Sequence, residues 1–220
     1  MKKRNPIVDE LREEYIQILP EMRLAAQELE TRIKSALLPL TKTLKSPARF
    51  EVKVRIKDCE SAIKKLRKNH EEIFDPEMSY SLLELDDLVG ARVLTFMDNT
   101  MVKANKYLKA EFQGWKADHK KMNHDKKRRK SRKRKEKPLW LKYKGKCNRN
   151  DRIKAEYQIC PMLIGLFGDV EHSAIYKPAA ALRGIETVEE IKDSKEEVYK
   201  VLRNFEKLVE EVYMKFKREK

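Results

Sequence analysis

The sequence predicts an α+β fold: a small mixed sheet flanked by helices, with a long C-terminal helix. Three observations carry this expectation. Two segments alternate strictly between apolar and polar residues, the mark of half-buried strands. Helical spacing of three and four dominates both ends of the chain. Only six glycines and eight prolines occur among 220 residues, too few for a turn-rich all-β architecture.

The elements follow in order. Asn5-Pro6 reads as a cap and a first-turn proline. Leu11, Tyr15, Ile18 and Leu19, then Met22, Leu24, Leu29 and Ile33, predict helix to about Leu38, with Pro20 expected to break it into two. Phe50, Val52, Val54 and Ile56 alternate with Glu51, Lys53, Arg55 and Lys57, which predicts a strand. The period then switches, and Cys59, Ala62, Ile63 and Leu66 form one helical face opposite Ser61, Lys64, Lys65 and Lys68. Leu88 to Phe96 is apolar enough for a central strand. Asp98-Asn99-Thr100 offers caps to a helix carrying Met101, Ala104, Leu108 and Phe112. Ile153, Ala155, Tyr157 and Ile159 alternate with Arg152, Lys154, Glu156 and Gln158 in a second amphipathic strand. Pro161 is expected to open an apolar helix running through Leu163, Leu166, Phe167 and Val170 to about Tyr176. Thr187-Val188-Glu189-Glu190 has capping-box form and precedes a long helix whose Val198, Val201, Phe205, Leu208 and Val212 make one seam. The expected organisation is N-terminal helices over 1–48, a core over 49–180 with a basic insert at 116–142, and a helical extension over 181–220.

Charged residues make up 40% of the chain, against about 25% in an average globular protein. No stretch approaches the roughly 18 apolar residues of a membrane span, and the charged Met1–Pro6 start has no apolar run behind it, so no membrane or secretory role is expected. Cys59, Cys147 and Cys160 are odd in number and lack metal-ligand spacing, which suits reduced thiols in the cytoplasm. The net charge of +15 is concentrated: Lys120 to Lys137 holds twelve Lys or Arg against Asp125 and Glu136, a net of +10. Such a run is either an electrostatic footprint for a polyanion such as RNA or a solvated loop.

Several residue types point to phosphate chemistry. Arg55, Lys57, Lys64, Lys65 and Lys68 surround a strand-to-helix corner and can converge on a polyphosphate, the arginine as a fork and the lysines as point charges. A solvated basic face has the same spacing. Arg92 inside an apolar strand calls for an anion, either a protein carboxylate or a ligand phosphate. Asp87 and Glu156, at neighbouring strands, suit Mg²⁺, which takes one or two carboxylates together with substrate phosphates. Glu171, His172, Tyr176 and Lys177 form a polar cluster at the end of the apolar helix.

The order of these signals is more specific than any one of them. Arg55-x-Lys57-x3-Ser61-x2-Lys64-Lys65, Asp87-x4-Arg92, Glu156-x-Gln158-Ile159 and Glu171-His172-x3-Tyr176-Lys177 resemble the RelA/SpoT synthetase domain, over roughly Val52 to Lys177. The resemblance implies a nucleotidyltransferase-like fold and transfer of the β,γ-pyrophosphate of ATP to the 3′-hydroxyl of GDP or GTP, making ppGpp or pppGpp. It implies that Arg55, Lys57, Ser61, Lys64, Lys65 and Arg92 bind ATP, and that Asp87 and Glu156 are the catalytic acidic pair holding Mg²⁺, with Glu156 also a candidate base. Gln158, Glu171, His172 and Lys177 fall on the acceptor side. There the chain departs from the family. The family's Gly-Tyr-x-Ser-x-His loop, whose tyrosine stacks on guanine, has its counterpart in Tyr143-Lys144-Gly145-Lys146-Cys147, and Cys160-Pro161 replaces Arg-Thr. Transfer to an adenine nucleotide or to a tRNA 3′ end, as in toxin-type members, and a non-catalytic nucleotide- or nucleic-acid-binding role are the alternatives. The basic insert suits the RNA acceptor. No hydrolase domain is expected, and the terminal helix offers a seam for packing or for a second copy.

Overall fold

The computed structural model describes residues 5–45, 48–71, 74–118, 140–147, 151–171 and 187–218. Helix α1 (Pro6–Thr41) precedes strand β1 (Arg49–Ile56) and helix α2 (Cys59–Asn69). A 3-10 turn (Leu82–Glu84) leads to strand β2 (Val89–Phe96) and helix α3 (Asp98–Glu111). Strands β3 (Lys116–Ala117), β4 (Leu141–Lys146) and β5 (Lys154–Pro161) complete the sheet, and helices α4 (Met162–Glu171) and α5 (Thr187–Arg218) end the chain. The expected mixed sheet with flanking helices and a long terminal helix is present.

The five strands run in the order β1-β2-β5-β4-β3. Only the β2–β5 pair is parallel, and these two are the most buried strands. Cross-strand register fixes the two faces. Val52, Val54, Ala91, Val93, Ala155, Tyr157, Ile159 and Tyr143 line one face and join the main core with α1 and α3. Lys53, Arg55, Gly90, Arg92, Leu94, Glu156, Gln158, Cys160, Lys142 and Lys144 line the other.

Helix α1 differs from expectation. It is one 36-residue helix that continues through Pro20 and Pro39. Its buried stripe, Leu11, Ile18, Met22, Ala25, Leu29, Ile33, Leu37 and Leu40, steps by threes and fours across both prolines. That stripe lies on the sheet, so burial outweighs the roughly 3 kcal/mol cost of a proline in a helix interior. The N-cap is as the sequence indicates, with Asn5 Oδ1 accepting from Ile7 N at 3.1 Å. Because α1 belongs to the same hydrophobic cluster as the strands, it is integral to the core and not an appendage.

Both ends of the segment assigned to the basic insert are sheet: Lys116 pairs with Lys144, and Leu141 with Ile159. The cationic stretch Lys120 to Lys137 lies outside the described residues. Pro161 ends β5 and α4 begins one residue later. Helix α3 has no side-chain cap at Met97. Instead, α5 supplies the acceptors: Glu210 takes the amides of Asp98 and Asn99 at 3.2 and 3.3 Å, and Glu206, one turn earlier, takes Leu163 N of α4 at 2.9 Å. Two glutamates on one face of α5 thus satisfy the free N–H groups opening two other helices.

Candidate active site

The polar face of the sheet is divided. Helix α4 covers its upper part, where Gly165 approaches Leu94 and Cys160 so closely that a Cβ there would overlap them. Asp169 on α4 pins this packing by pairing with Arg92 and, at 3.4 Å, with Lys53. The Arg92 guanidinium also lies over the Trp140 ring, 5.0 Å from its centroid. The anion that an arginine in an apolar strand requires is therefore Asp169, and no ligand phosphate is needed to balance it.

Below α4 the face is polar and carries Glu156, while Asp87, in the turn before β2, joins it through Lys57. Glu156 is 2% exposed and faces Gly90 across the parallel pair. Gln158 Nε2 donates to its Oε1 at 2.8 Å. The Lys142 ammonium lies 2.7 Å from Oε2 as an ion pair, but off the hydrogen-bonding direction, so that oxygen has a countercharge and no aligned donor. Arg55 and Glu156 both lie beside Gly90: a Cβ there would be in ordinary contact with each, 3.5 Å from Arg55 Nε and 3.9 Å from Glu156 Cγ. Arg55 and Glu156 are therefore neighbours.

Asp87 is 7% exposed and takes two lysines on Oδ2, Lys65 at 2.6 Å and Lys57 at 3.2 Å. Lys57 follows Arg55 on the same face, its amide held by the Leu88 carbonyl at 2.8 Å. Lys65 comes from α2, whose N-terminus is fixed by Asp58 accepting from Ser61 N at 2.9 Å. Burial pushes the Asp87 carboxyl up, but hydrogen bonding and charge from Lys65 and the charge of Lys57 outweigh it, so its pKa falls below the ordinary carboxylate value. Lys57 is displaced downward from the ordinary lysine value, first by burial and further by the charge of Arg55, with Asp87 opposing. Two ammonium groups on one carboxylate explain why the pairing dominates at Asp87 and burial dominates at Lys57. Lys64 is exposed on α2, and Ser61 is half-buried.

The oxygen atoms suit a hard divalent cation. Asp87 Oδ1, Glu156 Oε2 and Gln158 Oε1 are buried and lack a hydrogen-bond donor. Carboxylate and carbonyl oxygens are the ligand type that Mg²⁺ prefers. Among the described residues no group of three or more His, Cys, Asp or Glu could hold a metal, and a cation shared with substrate phosphates needs only two carboxylates.

Tyr143 corrects an expectation. It is 3% exposed, stacks on Tyr157 with centroids 4.8 Å apart, and donates to Asn105 Oδ1 at 2.8 Å. All of these contacts lie on the core face, so the ring cannot meet a nucleotide base on the site face. The adjacent Gly145 has its own structural cause: a Cβ there would come within 2.5 Å of the Trp115 ring. Trp140 and Phe96 are aromatics on the site face, both packed with Leu94, Cys160 and Met162. Sequence reasoning missed Asp169, on a helix far along the chain and with no local signal, and it missed Trp140 and Lys142. Strand parity was the available signal, since residues two apart from Lys142 share its face. Of the remaining acceptor candidates, Gln158 is beside Glu156, Glu171 ends α4, and His172 and Lys177 lie outside the described residues.

The described residues form a five-stranded mixed sheet with two buried carboxylates and cations around them. Solved structures make the fold more particular. The chain is similar to the Bacillus subtilis small alarmone synthetase 1 bound to AMPCPP (TM-score 0.60, 17% identity, 91% of this chain and 98% of that one). The same enzyme bound to its product pppGpp aligns with a TM-score of 0.57 at 17% identity over the same shares. A GTP pyrophosphokinase family protein from Streptococcus pneumoniae aligns with a TM-score of 0.56 at 17% identity, over 90% of this chain and 94% of that one. No protein-family model and no curated protein sequence matches. The chain has the fold of the small alarmone synthetases. Among the described residues no helix is long and apolar enough to cross a membrane.

Proposed function

We propose that the chain is a Mg²⁺-dependent pyrophosphokinase that transfers the β,γ-pyrophosphoryl group of ATP to the 3′-hydroxyl of a guanine nucleotide. The observation that supports this reading is the buried Asp87 paired with Lys57 and Lys65, on the same strand end that brings Arg55 beside the buried Glu156. Arg55, Lys57, Lys64 and Lys65 hold the ATP phosphates and keep the transferred group in line with the acceptor oxygen. Ser61 stands beside them, in the first turn of α2. The bond between the β-phosphorus and the oxygen bridging it to the α-phosphate breaks, AMP leaves, and the 3′-oxygen bonds to the β-phosphorus. Glu156 is placed to take the hydroxyl proton. Asp87 and Glu156 would hold Mg²⁺, which neutralises charge on the phosphates. Trp140, half-buried on the site face, is the ring proposed to meet the acceptor base. Gln158 orients Glu156 through its 2.8 Å bond. Arg92 is left out of the ATP set because Asp169 occupies it. An enzyme that consumes ATP in this way would work in the cytoplasm.

One observation favours a second acceptor, the 3′ end of an RNA: lysines 116, 142, 144, 146 and 154 share the Glu156 face of β3, β4 and β5. The exposed stripe Val201, Phe205, Leu208 and Val212 on α5 supports a second copy of the chain as partner, which light scattering measures. The test of the activity is incubation with γ-labelled ATP, Mg²⁺, GDP, GTP, ADP and RNA. Label on the 3′-position of one acceptor, absent with Glu156→Gln, is the expected result. Label on none, or unchanged transfer by the variant, overturns the reading.

A further inference from the structure

The buried stripe of α1 is interrupted once. Leu11 and Ile18 are buried on it, and positions 14 and 15 fall between them on the same face. A helix seated on a sheet carries apolar residues at such positions, yet this turn holds Glu14 and Tyr15, both half-buried. Each directs its polar atoms at a segment that leads into the ATP site.

The Tyr15 ring packs against the main core, and its hydroxyl donates to the Lys57 carbonyl at 3.0 Å. The Lys57 amide donates to the Leu88 carbonyl at 2.8 Å, so the peptide groups on both sides of this residue are fixed. Its side chain is 10% exposed and reaches Asp87 at 3.2 Å. A packed lysine has little rotamer freedom with which to absorb a backbone shift, so the place of its ammonium follows from where the main chain is held. Glu14 acts on the other partner of that pair. Its carboxylate accepts from Ser81 Oγ at 2.5 Å and from Leu82 N at 2.8 Å, two donors at the opening of the 3-10 turn. Bonds from a backbone N–H to a carboxylate are among the stronger kind. Ser81 completes the turn, its Oγ accepting from Leu83 N at 3.2 Å and its amide donating to Glu84 Oε1 at 3.1 Å. Leu85 and Leu88 are buried on either side of Asp86 and Asp87, so the stretch that delivers Asp87 is short and anchored at both ends. Arg12 also leaves α1, to meet Glu60 of α2 at 2.9 Å, but that pair is exposed and contributes little.

We propose that Glu14 and Tyr15 are positioning residues for the phosphate and metal contacts: from one turn of α1, Tyr15 sets Lys57 and Glu14 sets the turn that delivers Asp87. This rests on the proposed roles of Lys57 at the ATP phosphates and of Asp87 at the metal. Neither α1 residue touches substrate. Where catalysis comes from alignment, a displacement of about 1 Å costs on the order of a hundredfold in rate.

The test is calorimetric titration of the full chain with a non-hydrolysable ATP analogue and Mn²⁺, set beside steady-state transfer. Tyr15→Phe, which removes one oxygen, weakens analogue binding by about fivefold or more and raises the ATP KM while the acceptor KM stays unchanged. Glu14→Ala weakens Mn²⁺ binding in the presence of the analogue by a similar factor. Glu14→Gln, which keeps a carbonyl oxygen to accept from Leu82 N, recovers much of it. Ile33→Val, on the same stripe about 27 Å along the helix, lowers the urea midpoint comparably and leaves both affinities and both KM values at the wild-type level. Should Glu14→Ala fail to fold, Tyr15→Phe still decides. Unchanged analogue affinity in Tyr15→Phe, equal rises in both KM values, or equal weakening by Ile33→Val overturns the inference. If no acceptor is ever labelled from ATP while Tyr15→Phe still weakens analogue binding, the transfer reaction falls and the positioning role stands. If an acceptor is labelled while Tyr15→Phe binds and turns over as the wild type does, the positioning role falls and the transfer reaction stands. A wild type that binds no analogue overturns both.

Discussion

Glu206→Gln tests how α5 seats the helix that covers the site. Glu206 is 6% exposed and accepts from Leu163 N at 2.9 Å. Burial is the main cause pushing its carboxyl from 4.5 up to about 7, with Asp98 adding to the rise and the Leu163 amide and Arg203 opposing it. A carboxyl whose folded pKa is raised is least costly to fold when protonated in both states, below about pH 4.5. Above that pH the unfolded chain releases its proton first, so stability falls until the folded group ionises near pH 7. Each tenfold change in proton affinity is about 1.4 kcal/mol, so burying the charged form costs about 3 kcal/mol at pH 8. Glutamine can accept the same amide proton without the charge. Urea unfolding followed by circular dichroism therefore gives a Glu206→Gln variant more stable than the wild type at pH 8, by up to about 3 kcal/mol, and no such gain at pH 4. A pH-independent difference, or a variant less stable at pH 8, refutes the reasoning.

Three further outcomes follow from the site. Asp87→Asn lowers pyrophosphate transfer on the order of a thousandfold and costs about 2 kcal/mol at pH 7 by leaving Lys57 without its carboxylate. Because the folded Asp87 pKa is depressed, that stability difference shrinks as pH falls below the unfolded value of 3.8, which acid-dependent urea midpoints measure. Tyr143→Ala destabilises the protein by about 3–5 kcal/mol and leaves the ratio of acceptor KM to ATP KM unchanged; an acceptor-specific rise would return the ring to the site. Trp140→Ala raises the acceptor KM more than the ATP KM in steady-state transfer, and equal effects would mean that the ring does not meet the base.

Most of the sheet was legible because its strands declare their faces. Phe50 to Lys57 and Arg152 to Ile159 alternate without a break, and the structure pairs both with the apolar strand between them. The positions of Arg55, Glu156 and Gln158 on a shared polar face follow from that alternation alone. Four features were not legible, for physical reasons. Local chemistry at Pro20 says stop, yet the stripe that continues past it is buried against distant strands, and tertiary burial decides. The ring of Tyr143 matches a motif by order, but its face depends on where β4 starts, and that start lies beyond a stretch of charge with no periodicity. Asp169 and Arg92 are 77 residues apart, and nothing local joins them. The caps of α3 and α4 come from Glu206 and Glu210 on a helix far along the chain, whereas cap rules read only neighbours.

The proposed chemistry depends on Asp87 and Glu156 gripping one metal ion opposite the cationic cradle. Crystals grown with Mn²⁺ and a non-hydrolysable ATP analogue test this through anomalous scattering. A single anomalous peak within bonding distance of both carboxylates is expected, with Lys57 and Lys65 moved from Asp87 onto the phosphates. A peak bound elsewhere, or phosphates seated away from Arg55 and Lys57, contradicts it.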